Sequence, residues 1–202
     1  MTLKDSEVNA GLRLSCQTTV NTDLDVELND KNIFTPMSAQ IIATRLVTPF
    51  IREIKLKTSN SIRYAAGQYI NVTVPAGQYH LNMLDIPIEY KEQWADLLSH
   101  HPVVTVSSAQ QRSYSLANDS TGDDTISLLV KLTHHENKLG VGSGYLYSLD
   151  AGDSIEIQGP LGDFSLNKQR DREVILIGAG SGLAPLKAMG EQAINQRRTR
   201  VS

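Results

Sequence analysis

Between residues 40 and 133 short alternating segments follow one another, each cut off by a turn. They lie at 40–47, 51–58 (IREIKLKT), 68–74 (QYINVTV), 103–106, 112–117 and 125–133 (TISLLVKLT). Ala-Gly at 66–67 and 76–77 and Gly-Asp at 122–123 supply turn chemistry between them. A period-two segment has one apolar face, which it must bury against other strands. Many such segments at short spacing restrict the chain to a closed antiparallel barrel or a sandwich. Residues 23–30 (DLDVELND) read as a further half-buried strand, and 34–39 (FTPMSA) as a linker.

Two helical patterns interrupt the strands. In 87–98 (PIEYKEQWADLL), Tyr90, Trp94 and Leu97 or Leu98 fall on one face, suited to packing against the barrel. Residues 143–149 (SGYLYSL) predict a short helix that ends before Ala-Gly at 151–152. After residue 172 the pattern changes. REVILIGAGSGLAPLKAMGEQAINQR predicts a buried apolar strand, a glycine-rich turn and a helix, the opening βα unit of an α/β domain.

Composition excludes several functions. The 202 residues carry 19 basic and 22 acidic side chains, a net charge of −3, which gives no case for nucleic acid or an anionic membrane surface. The amino terminus lacks the apolar run of a signal peptide, and the most apolar stretch, 174–189, contains three glycines and a proline and is too short to span a bilayer. Cys16 is the only cysteine, so no intrachain disulfide forms. His100-His101 and His134-His135 are adjacent pairs; adjacent residues on a strand face opposite ways, so neither pair makes a good chelate and no metal site is expected.

The chemistry concentrates in four places. In RSYS (112–115) a period of two puts Arg112 and Tyr114 on one face. A guanidinium suits a pyrophosphate, and a phenol ring suits a flat conjugated system. In GVGSGYL (140–146), Gly140 and Gly142 allow close backbone approach and Ser143 can cap the helix that follows, whose first amides form an anion site. GPLGDF (159–164) reads as a tight turn after the strand DSIEIQ. In IGAGSGLAP (177–185), Gly178, Gly180, Gly182 and Pro185 form a strand-to-helix turn of the kind that holds a pyrophosphate. The dinucleotide fingerprint itself fails, because its third glycine position is Leu183.

These four motifs, in this order, resemble those of the ferredoxin–NADP reductase family. The resemblance implies a mainly β fold, an antiparallel FAD-binding β-barrel followed by the first βα unit of an α/β nucleotide-binding domain. It implies that Arg112 holds the FAD pyrophosphate, that Tyr114 stacks beside the flavin and that Ser115 reaches its N5 edge in a catalytic role. Backbone groups of Val130, Lys131 and Leu132 would line the ring, with Gly140, Val141, Gly142 and Ser143 on the other side of the pyrophosphate. Gly178, Gly180, Gly182 and Pro185 would receive NADH.

Two further segments are similar to the F subunits of sodium-translocating NADH:quinone reductases: the insertion PAGQYHLNMLDIPIEYKEQW (75–94), and GLRLSCQ (11–17), which resembles the end of a plant-type ferredoxin domain. The implied division is a ferredoxin remnant at 1–35, the FAD barrel at 36–170 and the start of the NADH domain at 171–202. It implies electron transfer from NADH through FAD to an iron–sulfur centre, with other subunits of a membrane reductase as partners on the cytoplasmic side of the inner membrane. A two-iron two-sulfur cluster needs four thiolates, and Cys16 alone is at most a former ligand. The chain is therefore expected to be a soluble fragment that binds FAD but is reduced slowly by NADH. Two other readings stand beside this one. One is the reductase component of a soluble multicomponent oxygenase, which the insertion disfavours. The other is a non-enzymatic barrel, which the intact Arg112-Tyr114-Ser115 set disfavours.

Overall fold

The computed structural model describes residues 35–81, 84–120, 124–135, 138–166 and 174–198, with side chains of the last helix to Asn195. The strand expected at 23–30, Cys16 and the Gly-Asp turn at 122–123 lie outside the described residues.

Among the described residues ten strands and three α-helices follow in order: β1 (Met37–Thr48), β2 (Ile51–Thr58), β3 (Tyr69–Val74), β4 (Gly77–His80), α1 (Lys91–His100), β5 (Val103–Val106), β6 (Gln110–Ser115), β7 (Thr125–Lys131), β8 (His134–His135), β9 (Lys138–Leu139), α2 (Val141–Tyr147), β10 (Ser154–Leu161) and α3 (Leu183–Arg198). Six strands form one antiparallel sheet in the order β6-β3-β10-β1-β2-β7. Its two ends meet at a bridge between Leu116 and Leu128 and a hydrogen bond from the Ala117 amide to the Ser127 carbonyl, 2.8 Å. The sheet is thus barrel-like, with a seam in place of a full closing ladder.

Alternation decides which side chains fill it. Ile54 and Leu56 of β2, Ile70, Val72 and Val74 of β3, and Ile155 and Ile157 of β10 are buried, while Lys55, Lys57 and Glu156 between them face solvent. In β1 the register slips between Ile41 and Ala43. That bulge leaves Ile42 outward and Ile41 in the core. Under the sheet, α1 presents Trp94, whose indole N–H donates to the Pro49 carbonyl at 2.7 Å and whose ring packs on Phe50 and Tyr147. Tyr90, Leu97 and Leu98 pack partly buried beside it, on the face that the sequence predicted.

Arg52 is a buried cation on β2, 3% exposed. Its guanidinium donates to the carbonyls of Leu146, Tyr147 and Leu149 at the end of α2, to the Thr44 hydroxyl and to the Asp150 carboxylate. The last carbonyls of a helix have no partner within it, so Arg52 supplies their donors and opposes the negative end of the helix dipole. Burial lowers its pKa and Asp150 raises it.

Four details differ from the sequence reading. Strand β1 begins at Met37, inside the expected linker, because pairing with β10 recruits residues 37–39. Gly159-Pro160 is no tight turn; the peptide bond is cis, β10 runs through it to Leu161, and the left-handed residue that ends the strand is Gly162, φ +88°. The helix expected at 143–149 starts two residues earlier, at Val141. The apolar run at 174–177 forms no strand, and Ile175 and Ile177 are exposed, 79% and 88%. A strand needs neighbours to satisfy its backbone, and none of the described strands lies beside this run. The helix after it does form, as α3. Among the described residues no helix is long and apolar enough to cross a membrane.

Candidate functional site

The seam creates a cleft. From the Leu116–Leu128 bridge, β6 and β7 diverge without further ladder bonds, and the first turn of α2 lies in the gap. The resulting space is about 480 Å³, within the range of small-molecule sites. Strand β6 contributes Arg112, Ser113, Tyr114 and Ser115. No residue of β6 is buried, unlike its alternating partner β3, and Tyr114 and Ser115 are half-buried at the cleft.

Strand β7 contributes by parity. Ile126, Leu128 and Val130 point into the core, so Leu129 and Lys131, with Thr133 beyond them, face the cleft. Lys131 is therefore placed in the cleft as expected for a lining residue, whereas Val130 and Leu132 are not. Their backbone groups are also engaged: the Val130 carbonyl accepts from the Tyr147 hydroxyl at 3.2 Å, and the Leu132 amide donates to Phe50 at 2.9 Å. Counting outward in twos from Lys131 gives Leu129 and Thr133, a signal that was available in the sequence.

The turn into α2 supplies the third wall, with Gly140, Val141, Gly142 and Ser143. Its N-cap is Gly140, in extended backbone, and Ser143 lies inside the helix. The Ser143 hydroxyl donates to the Gly140 carbonyl at 3.0 Å, accepts from the Thr133 amide at 3.2 Å and meets the Thr133 hydroxyl at 3.1 Å. Ser143 thus ties the helix start to β7 and does not cap it, contrary to the sequence reading. First-turn amides have no intrahelical acceptor and remain donors for a ligand. Gly142 is required by contact: a Cβ there would lie 2.6 Å from the Tyr114 hydroxyl oxygen and 2.7 Å from Arg112 Cγ. Arginine, tyrosine and helix start are brought together around that missing side chain.

Arg112 is exposed and held by the Gln111 carbonyl and the Gln110 side chain, which leaves part of its donor fork open to the cleft. The lining residues include two cations, Arg112 and Lys131, and no carboxylate. Burial pushes the Tyr114 phenol up to about 12, opposed by Arg112, so it is a neutral ring and hydroxyl donor at ordinary pH.

Beside these walls stand Ser181, Gly182 and Ala184, from the glycine-rich turn and the start of α3. Of the four residues expected there, Gly182 lines the cleft; Gly178, Gly180 and Pro185 do not. A Cβ on Gly178 would meet Leu186 at 2.5 Å, so this glycine serves packing, and Gly180 adopts a left-handed φ of +58°. Pro185 lies in the first turn of α3, where its missing N–H has no cost. Helix α3 is fastened by the stretch that follows RSYS. Lys187 donates to the Ala117 carbonyl, the Asp119 amide to Glu191, and Asn195 to the Asp119 carboxylate. Asn118 holds the same loop to Thr125 and Ser127.

The phenols give a pH dependence. Burial raises the pKa of Tyr64, Tyr79, Tyr114, Tyr145 and Tyr147. The folded chain then keeps protons that the unfolded chain releases above about pH 10. Their contribution is complete below that pH and is lost as pH rises through the folded values, about 12 for Tyr114 and Tyr145. The urea midpoint should fall steadily from pH 10 to 12, and Tyr114→Phe should reduce the slope. A flat midpoint would contradict this.

The family model for the oxidoreductase FAD-binding domain matches residues 81–166, which run from α1 past the end of β10 and include most of the cleft. The F subunit of the Na(+)-translocating NADH-quinone reductase of Shewanella putrefaciens is 32% identical over 96% of this chain and 66% of its own length. That of Moritella marina is 31% identical over 98% of this chain and 68% of its own. The chain therefore spans about two thirds of the length of these relatives. The ferredoxin-NADP+ reductase from Plasmodium falciparum superposes with a TM-score of 0.58 at 18% identity, covering 83% of this chain and 57% of that one, a likeness of fold.

Proposed function

Since the chain belongs to the F-subunit family of the Na(+)-translocating NADH-quinone reductases, we propose that its seam cleft holds FAD and serves electron transfer from NADH to an iron–sulfur centre. The observation that carries this reading is the cleft itself: two cations and no carboxylate, a helix start and a neutral phenol around one gap. That donor set fits the group. A guanidinium and first-turn amides match a pyrophosphate, and a tyrosine ring matches a conjugated ring system. The flavin, when bound, takes up a hydride and releases electrons singly.

The chain's own residues position and insulate. Arg112 and the amides of 141–143 would hold the diphosphate, Tyr114 would stack on the ring, and the Ser115 hydroxyl would serve as a proton donor to it. Lys131 adds positive charge along the cleft. Backbone groups at 178–182 receive the dinucleotide of NADH, with Gly182 at the cleft wall. On this reading residues 1–35 correspond to a ferredoxin-domain remnant, 36–170 to the FAD barrel and 171–202 to the opening of the NADH domain. The partners are the other subunits of a membrane reductase, met on the cytoplasmic side of the inner membrane.

Arg112→Ala should weaken FAD binding by about 1.5–3 kcal/mol, the worth of a hydrogen bond to a charged group. Titration of the unliganded protein into FAD, followed by flavin fluorescence, measures it. Equal affinity in parent and variant would place the pyrophosphate elsewhere.

A further inference from the structure

Two histidines far apart in sequence meet at the surface. His101 follows α1, and its backbone amide is fixed by the Leu97 carbonyl at 2.8 Å. His134 begins the β8–β9 hairpin and pairs with Leu139. Their Nε2 atoms are 3.3 Å apart, with ring centroids 5.1 Å apart and ring planes at 53°. The sequence offered only the adjacent pairs His100-His101 and His134-His135, and the fold brings His101 and His134 together.

The spacing is that of two imidazoles on one ion. Nitrogens bound at tetrahedral angles to a single zinc, each about 2.0–2.1 Å from it, lie about 3.3–3.4 Å apart. Because a ring centroid sits about 1.2 Å behind its nitrogen, the two centroids of such a pair are about 5.2 Å apart. A linear N–H···N hydrogen bond of the observed length would separate them by about 5.7 Å. The observed 5.1 Å lies nearer the shared-ion separation than that of a linear hydrogen bond.

We propose that His101 and His134 form a two-imidazole site for a divalent transition-metal ion of the zinc and copper class, with water completing the shell. Imidazole nitrogen selects these ions over magnesium or calcium. His100 stands apart from the pair: its ring centroid is 6.3 Å from that of His101, and its Nδ1 meets the Asp96 carbonyl and the Ser99 hydroxyl of its own helix. Among the described residues no group of three or more His, Cys, Asp or Glu could hold a metal, so the site has two protein ligands and leaves open coordination positions. Each ligand's backbone is tied to a neighbour, His101 to Leu97 and His134 to Leu139.

The test is calorimetric titration of Zn²⁺ alone into metal-free protein with Cys16 alkylated, which removes the one thiol. The expected result is one Zn²⁺ per chain. His101→Gln and His134→Gln should each weaken binding at least tenfold, the double variant should weaken it further by little, and His100→Gln should leave it unchanged. With Cu²⁺ in the unsubstituted protein, electron paramagnetic resonance should show hyperfine coupling to two imidazole nitrogens, a readout that needs no variant to fold. Absence of stoichiometric zinc binding, a copper signal without two nitrogens, or single variants that bind like the parent would overturn the proposal.

Discussion

Arg52→Met should lower the folding free energy by about 3–5 kcal/mol, the range seen when one partner of a buried ionic network is removed. Methionine keeps much of the apolar stem, so the loss isolates the guanidinium. What the variant leaves behind is three carbonyls at the end of α2, those of Leu146, Tyr147 and Leu149, and the Thr44 hydroxyl. Each buried acceptor without a donor costs about 1–3 kcal/mol, and partial access of water accounts for a total below the simple sum. Asp150 contributes little, because its carboxylate is 64% exposed and stays solvated without Arg52. Arg52→Lys should be intermediate, since one ammonium cannot reach carbonyls and hydroxyl together. Urea unfolding measures the change, and a loss under about 1 kcal/mol for Arg52→Met would show that the helix end is satisfied by other means.

Gly142→Val should abolish FAD loading, with a loss on the order of 3 kcal/mol or more in binding and a smaller one in stability. The first added carbon already falls within 2.6 Å of the Tyr114 hydroxyl oxygen and 2.7 Å of Arg112 Cγ. Both neighbours are side chains on a strand at the end of the sheet, so they can swing outward, and the fold survives their movement. The cleft does not survive it, since the same movement displaces the guanidinium and the ring together. The effect should therefore exceed that of Arg112→Ala. Purified variant and parent would be compared for bound flavin and for added-FAD affinity. A variant that loads FAD like the parent would separate Gly142 from the site.

The sequence revealed the strands because alternation is a local property: β2, β3, β5 and β7 lie within a residue or two of their expected places. It also singled out Arg112, Tyr114, Lys131 and the turn at 140–143 for one ligand and Gly182 for another, through spacing and family likeness, and all of them line the one cleft. What it concealed depends on partners distant in the chain. Nothing near Arg52 shows that it serves a helix almost one hundred residues away. Ser143 reads as a cap until Thr133 is seen to hold it. Val174–Leu176 read as a buried strand because apolar β-branched residues favour one, yet strands are made by neighbours. His101 and His134 were legible only as halves of adjacent pairs.

The sheet order also dictates a sequence of assembly. As synthesis proceeds, β1, β2 and β7 can join as one half-sheet, and β3 and β6 as another, from residues already made. Beyond the Leu116–Leu128 seam the halves share no ladder until β10 enters between β1 and β3, where Met37 meets Ile157 across about 120 residues. At 5–20 residues per second a ribosome needs roughly 6–24 s to add that much chain. During that interval the backbone edge of β1 and, once it is made, that of β3 await their partner, the condition under which nascent β proteins need protection. Of the six strands in this sheet, the keystone is the last to be made.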